Sequence, residues 1–179
     1  MFKLLKMSGN ARRATLKTVH GKIETPFFMP IATGGAIKGL IPDEIRDFGG
    51  QDLLANTYHL HLRLGEDVIK KAGGLHKFMN WDGPILTDSG GYQIFSLSKI
   101  RKLKADGVEF QSHLDGEKIF LTPEKCIGIQ QKLGSDIMMC LDECPAADAK
   151  RKYVEESLEL TTKWAKRCKN RTSEIGHRK

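Results

Sequence analysis

No run of this 179-residue sequence approaches the roughly 20 consecutive apolar residues that a membrane-crossing helix needs, so a helical membrane protein is not expected. The opening MFKLLKMSGNARR is short of apolar length and has no small-residue cleavage site, so it does not read as a secretory leader. Cysteine is scarce. Cys126, Cys140, Cys144 and Cys168 form no dense framework, which argues against a disulfide-stapled secreted domain and for reduced thiols in the cytoplasm. Internal repeats and low-complexity linkers are missing too, so residues 1–179 read as a single continuous domain. The six histidines (His20, His59, His61, His76, His113, His177) show no metal-cluster spacing, and the C-x3-C pair Cys140/Cys144 has no second Cys/His pair at zinc-site spacing. The sequence pattern therefore names no metal ligand, and His59 reads as a structural or supporting residue.

What is present is a chain with 40% apolar residues, enough for one domain with a real core. Its net charge of +7 is unevenly spread: residues 150–179 hold ten Lys/Arg against four Asp/Glu, whereas residues 1–149 are nearly balanced. This basic end is either a solvated helix face or a patch facing nucleic acid, since clustered Lys/Arg gain affinity by neutralising phosphates.

Short apolar runs alternate with helical patterns, which is the signature of an α/β fold. Residues 25–31 (TPFFMPI) predict an extended edge or irregular strand, given Pro26 and Pro30. Leu53–Asn56, Ile85–Thr87 and Ile137–Leu141 predict buried strands, and Val108–Gln111 with Lys118–Leu121 predict a hairpin around Asp115-Gly116. Helices are expected over 43–48, opened by Pro42 and stopped by Gly49-Gly50, and over 123–133, capped by Thr122 and ended by Gly134. A longer helix is expected over about 150–170, with Tyr153, Ser157, Leu160, Trp164 and Cys168 as its core-facing stripe.

Two carboxylates stand at the ends of strand candidates: Asp88 in GPILTDSGGYQ (83–93) and Asp142 in DIMMCLDEC (136–144). Strand C-termini are where α/β folds bind ligands, although an Asp there also commonly caps the next turn. The neighbours favour a ligand. Gly90 and Gly91 let a flat molecule approach the backbone, Tyr92 offers a stacking face, and Ser89 and Gln93 offer polar atoms to a base edge. A carboxylate suits guanine, because it accepts from N1–H and the exocyclic amine together. Cys144 reads either as pocket wall or as a plain buried thiol.

Taken in order, HGKIETPFFMP (20–30), LLANTYHL (53–60), GPILTDSGGYQIFSL (83–97), IFLTPEKCIGIQQKLGSDIMMCLDEC (119–144) and the Trp164–Arg167 helix resemble bacterial tRNA-guanine transglycosylases over residues 20–170. That resemblance implies a (β/α)8 barrel preceded by a small antiparallel sheet, acting on a guanosine in a tRNA anticodon. Guanine is exchanged there for a 7-deazaguanine, queuine or its precursor, through a covalent RNA–enzyme intermediate. It implies that Asp88 is the proton acceptor and also binds the base, that Ser89, Gly90, Gly91 and Tyr92 form the pocket, that Asp142 reads the guanine edge, and that Gln93 and Cys144 complete the wall. Departures from the family pattern are Arg63-Leu64-Gly65 in place of Arg-Pro-Gly, and Ser112-His113-Leu114-Asp115-Gly116 in place of Ser-Pro-Ile-Asp-Gly.

The family's nucleophilic Asp and its three-Cys, one-His zinc site belong to a second half not found in these residues. The chain is therefore expected to be the first half of an incomplete barrel: a truncated form, inactive alone and without its zinc. The expected partners are tRNA, the purine base, and either a second copy of the chain or a chain carrying the other half. The alternative is a non-catalytic RNA- or base-binding remnant, or one chain of a split enzyme.

Overall fold

The computed structural model describes residues 1–97 and 100–176; His177 lies outside them. The first layer is an antiparallel sheet of β1 (Phe2–Ser8), β2 (Ala11–Lys17) and β3 (Lys22–Thr25). β1 is exposed along its whole length, whereas β2 and β3 bury Ala14 and Ile23. The turn between β2 and β3 is closed by the Thr18 amide donating to the Gly21 carbonyl at 2.8 Å. Residues 26–41 are mostly irregular, as the two prolines of the predicted extended stretch suggest, and Ile31 makes a parallel bridge to Leu54. Helix α1 (Pro42–Asp47) starts on a proline, and the Glu44 carboxylate accepts from the Ile41 amide at 2.8 Å.

A parallel sheet follows, with β4 (Leu53–Asn56) separated from β5 (Ile85–Asp88) by α2 (Thr57–Arg63), α3 (Glu66–Lys71) and α4 (Gly74–Met79). Leu53 pairs with Ile85 and Asn56 with Asp88, so the two strands end level. After α5 (Gly91–Leu97) comes a second antiparallel sheet, β6 (Arg101–Lys104), β7 (Gly107–Gln111) and β8 (Lys118–Leu121), which contains the hairpin read from the sequence. Helix α6 (Pro123–Leu133) has the anticipated ends: Thr122 Oγ1 accepts from the Lys125 amide, and Gly134 sits at φ +79°.

The third parallel strand, β9 (Ile137–Met138), is shorter than the predicted 137–141 run. A side chain sits at its end. Gln130, fully buried on α6, donates from Nε2 to the Met139 carbonyl at 2.8 Å and accepts from the Met139 amide at 3.0 Å. Its Oε1 also accepts from Thr87 Oγ1 at 2.8 Å. The Met139 amide also reaches the Thr87 carbonyl of β5 at 3.1 Å, so Gln130 shares the last ladder position and locks α6 to both strands.

Helix α7 (Arg151–Gly176) runs beyond the expected 150–170. Its stripe packs as predicted at Ser157, Trp164 and Cys168, all buried, while Tyr153 stands at the exposed edge. Trp164 donates to the Ala105 carbonyl at 2.8 Å, and Arg167 grips both Glu124 oxygens at 2.7 and 2.8 Å, fastening α7 onto α6. No helix among the described residues is long and apolar enough to cross a membrane.

Asp52, just before β4, is the costly residue of this core. It is fully buried, and its carboxylate oxygens have no hydrogen-bond partner of good geometry. Burial pushes its pKa up to about 6, with repulsion from Asp136 adding to the rise and the Leu53 and Leu86 amides opposing it. The folded chain therefore holds a proton that the unfolded chain has lost, and stability falls as pH rises from about 4 to 6 and stays low above that. Asp52→Asn should remove this decline, gaining up to about 3 kcal/mol relative to wild type at pH 7.5 and little at pH 4, by urea unfolding. Parallel pH profiles for the two proteins would contradict a protonated Asp52.

Candidate active site

Asp88 ends the central strand of the parallel sheet, where the chain must turn into α5. Its carboxylate is mostly buried, and donors from two directions meet it. Asn56, at the level end of β4, donates from Nδ2 to Oδ2 at 2.6 Å. The Thr57 and Gly90 amides donate to Oδ1 at 3.2 and 3.1 Å. The Thr57 hydroxyl donates to the Asp88 carbonyl. Burial is the largest influence and lifts the Asp88 pKa to about 6; the three donors pull it down, and the Asp142 charge pushes it further up. A carboxylate with a pKa near 6 is mostly ionised at neutral pH, yet it holds a proton far more readily than an exposed aspartate.

The turn after Asp88 is shaped by two glycines with different reasons to be there. Gly90 has φ +81°, and a Cβ there would stand 2.9 Å from Tyr58 Cβ. At Gly91 a Cβ would fall 2.1 Å from Asp142 Oδ1 and 2.7 Å from the Asp142 carbonyl. The absent side chain is what lets Asp142 stand beside the turn. Ser89 Oγ then donates to Asp142 Oδ1 at 2.8 Å and accepts from the Gly91 amide at 3.2 Å.

These residues line an open cavity of about 260 Å³, formed by Asp88, Ser89, Gly90, Gly91, Tyr92, Gln93, Met139, Cys140 and Asp142. Its volume lies just below the roughly 300 Å³ at which drug-sized pockets begin, which suits one flat ring system. Tyr92 is 60% exposed, leaving a ring face open for stacking. Gln93 Oε1 is buried and has no hydrogen-bond partner.

Seven of the eight residues singled out from the sequence thus meet around one space, and Cys144 does not line it. Beyond Asp142 the chain is drawn towards α7: the Glu143 amide donates to Thr161 Oγ1 at 3.0 Å and its carbonyl accepts from Ser157 Oγ at 3.3 Å. Cys140 and Met139 occupy the wall instead. Sequence reading passed over Asn56 and Thr57, although an Asn at the joint of a strand and a helix is the signal of a cap: Asn56 Oδ1 accepts from the His59 amide while its Nδ2 holds Asp88. His59 is a supporting residue, its ring edge-on to Tyr58 and His113, and Tyr58 OH lies 2.8 Å from His113 Nδ1. The departure from the family pattern at His113 therefore carries a partner for Tyr58, the residue on which Gly90 rests.

A larger cavity of about 590 Å³ beside α3 and α6 is lined by Glu66, Lys70, Glu124, Lys125, Lys132 and Arg171 among others. Several of its charges are paired, Lys132 lying 3.6 Å from Glu66 and 2.9 Å from the neighbouring Asp67, and Glu124 being held by Arg167. It offers no convergent carboxylates and no strand ends. All four cysteines are free, and no cluster of three metal-ligating side chains among the described residues contains a cysteine.

The family model described as queuine tRNA-ribosyltransferase matches residues 7–179. A queuine tRNA-ribosyltransferase of Clostridium botulinum (strain Hall) is 56% identical over 176 residues, covering 98% of this chain and 47% of that protein. One of Natranaerobius thermophilus is 56% identical over 158 residues, covering 88% of this chain and 43% of that protein. The chain spans about half the length of the curated relatives it matches.

Asn56→Ala removes a donor that favours the ionised form of Asp88. The Asp88 pKa should then rise above about 6, by up to one unit, when carboxyl carbon shifts are followed by NMR titration. An unmoved titration would show that Asn56 does not set the charge state of the site.

Proposed function

As the chain belongs to the queuine tRNA-ribosyltransferase family, we propose that the Asp88–Asp142 cavity holds the purine base exchanged at a guanosine of tRNA. One observation carries the reading: two carboxylates, one of them with its pKa lifted to about 6, converge on a base-sized space beside an open tyrosine ring. Guanine presents N1–H and an exocyclic amine on one edge, a donor pair that carboxylate oxygens accept. Asp142, oriented by Ser89, reads that edge. Tyr92 stacks on the ring, and the unpartnered Gln93 Oε1 supplies a further acceptor. Asp88 accepts and returns a proton of the base as guanine leaves and a 7-deazaguanine enters.

The parallel order β4-β5-β9, with Ile31 bridged to β4, is consistent with part of a (β/α)8 barrel whose C-terminal strand ends carry the chemistry. Among the described residues no third carboxylate lines the cavity. If Asp88 moves the proton and Asp142 reads the base, the covalent step at the ribose needs a nucleophile supplied from elsewhere. The 179 residues by themselves then bind base without exchanging it. A cytoplasmic location follows from the tRNA substrate.

The test is direct binding of guanine to the 179-residue chain, beside exchange of labelled guanine into unmodified tRNA. Binding should weaken as pH falls through about 6, where Asp88 gains its proton, and Asp142→Asn should weaken it at every pH. Tyr92→Ala should cost about 1–3 kcal/mol of binding. Absence of guanine binding by a folded chain would sink the reading. Exchange by the chain alone would place the nucleophile within it.

A second reading, an RNA-binding module without chemistry, draws on α7, where Lys152, Lys163, Lys166 and Lys169 are exposed. They lie within about 120° of the helix circumference. It expects tRNA binding that weakens steeply with salt, and a Lys163→Glu/Lys166→Glu double variant that lowers the slope of log K against log salt by about 2. No tRNA binding at low salt would remove this reading.

A further inference from the structure

At the opposite, N-terminal end of the parallel sheet, three segments far apart in the chain converge: the β2–β3 turn with His20, α4 with His76, and Asp136 just before β9. The Asp136 side chain is buried, 1% exposed. Its oxygens are over-subscribed. Oδ1 accepts from the His20 amide at 3.2 Å and Oδ2 from the Ile85 amide at 3.1 Å. Two imidazole nitrogens crowd onto the same carboxylate, His20 Nδ1 at 3.0 and 3.1 Å and His76 Nε2 at 3.2 Å. The rings are stacked with centroids 3.6 Å apart, and the three ligand atoms lie within 4.8 Å of one another.

We propose that His20 Nδ1, His76 Nε2 and the Asp136 carboxylate form a binding site for a first-row transition dication, with zinc the best match. Two nitrogens and a carboxylate oxygen are zinc's preferred donors when thiolates are absent. Tetrahedral zinc at about 2.0–2.1 Å from each ligand sets ligand atoms about 3.3 Å apart; the two nitrogen–carboxylate separations of 3.0 and 3.2 Å need only a slight opening, while the part-exposed His20 ring must rotate out of its stack so that both ring planes meet the ion. Neutral imidazoles would bind by a tautomer shift: the protons on His20 Nδ1 and His76 Nε2 move to the opposite ring nitrogens, and none need be released. The Gly83 carbonyl, 3.1 Å from His76 Nε2, then loses a donor and faces the ion as a fourth oxygen.

Access and charge agree with this. The site opens into a cavity of about 380 Å³ lined by His20, Arg46, His76, Lys77 and Asp82 among others, giving an ion and its water an entry path. The Arg46 guanidinium is held by Asp43 and Asp82 rather than by Asp136. Lys77 is the remaining cation on that wall and opposes binding. Against it stands Asp52, a second fully buried carboxylate, unpartnered and within electrostatic reach of Asp136. An ion here would clamp the β2–β3 turn onto the sheet from the face opposite Asp88 and Asp142. Its role would be to hold the fold, independently of what the base cavity does.

Metal-stripped 179-residue chain would be titrated with zinc and, separately, with cobalt(II), with magnesium as control. Zinc at a hundredfold excess over its Kd should raise the thermal midpoint by about 5–10 °C. Cobalt should give visible d–d bands without thiolate charge-transfer bands. His20→Ala removes a partner of the buried Asp136 carboxylate, so it should lower the metal-free melt somewhat, abolish the zinc-dependent rise and weaken metal binding by at least 10- to 100-fold; His20→Gln provides the same measurement if the alanine variant folds poorly. No zinc-dependent shift and no cobalt bands would overturn the proposal. So would thiolate bands, which assign the metal to the cysteines, or binding unchanged by the His20 substitutions, which places it elsewhere.

Discussion

The cavity depends on a buried carboxylate being only partly satisfied. Asp88 sits at the end of a central strand, where desolvation of an ionised group costs several kcal/mol unless donors meet it. Three do: a side-chain amide from β4 and two backbone amides, one from the start of α2 and one from the glycine turn. They do not fully offset burial and the neighbouring Asp142, and the balance leaves the pKa at about 6. Fuller satisfaction would give an inert aspartate that never takes up a proton, and poorer satisfaction would leave it protonated at neutral pH. The level ending of β4 and β5, fixed by the Asn56–Asp88 register, puts the donors where that intermediate balance is reached.

Asp142 is placed by a different device. No strand carries it, because the β5–β9 ladder ends at Met138. The chain from Met139 onward is steered by the Gln130 side chain, then brought against the DSGG turn by the Ser89 hydroxyl and the empty space at Gly91. A short strand is therefore part of how the site works. Had the ladder continued through Leu141, the Gln130 amide would have lost its place, and with it the lock between α6, β5 and the segment that carries Asp142. The buried glutamine gives this non-regular segment the hydrogen bonds it needs at a depth where water cannot supply them.

What was legible in the sequence follows from how local the responsible physics is. Thr122, Pro123 and Gly134 act on their own turns, and the α6 boundaries fell where those residues put them. Leu53–Asn56 and the 108–121 hairpin were likewise set by short-range pattern. Helices α2 to α5 span six or seven residues each, too few for a 3.6-residue period to show, and they are held by packing and by caps such as Asn56. The shortness of β9 was hidden because the side chain at its end belongs to another element. The cavity residues 88–93 were legible because one contiguous motif carries most of them. Cys144 lies off the cavity because the chain beyond Asp142 is held to α7 by contacts with Thr161 and Ser157, which local sequence does not show. The convergence of His20 on Asp136, 116 residues away, left no local trace at all.

The two ends of the parallel sheet treat buried carboxylates in opposite ways, and only one of them is suited to exchanging protons near neutrality. At the N-terminal end Asp136 is saturated: two amides and two imidazoles hold it, and the hydrogen bonds to His20 and Ile85 overcome burial and keep its pKa below the usual range. Such a group is an anchor, ready to hold a cation but unfit to exchange protons near neutrality. At the C-terminal end Asp88 is held by fewer donors and repelled by a second carboxylate, so its proton affinity sits close to where a reaction in neutral water can use it. The donors of an incoming guanine edge would enter this same balance. They favour the ionised carboxylates, while the ring itself removes the water that also favoured them. In the proposed exchange, binding and proton transfer would be coupled through one electrostatic sum, which Asn56, Thr57, Gly90 and Asp142 set together with Asp88.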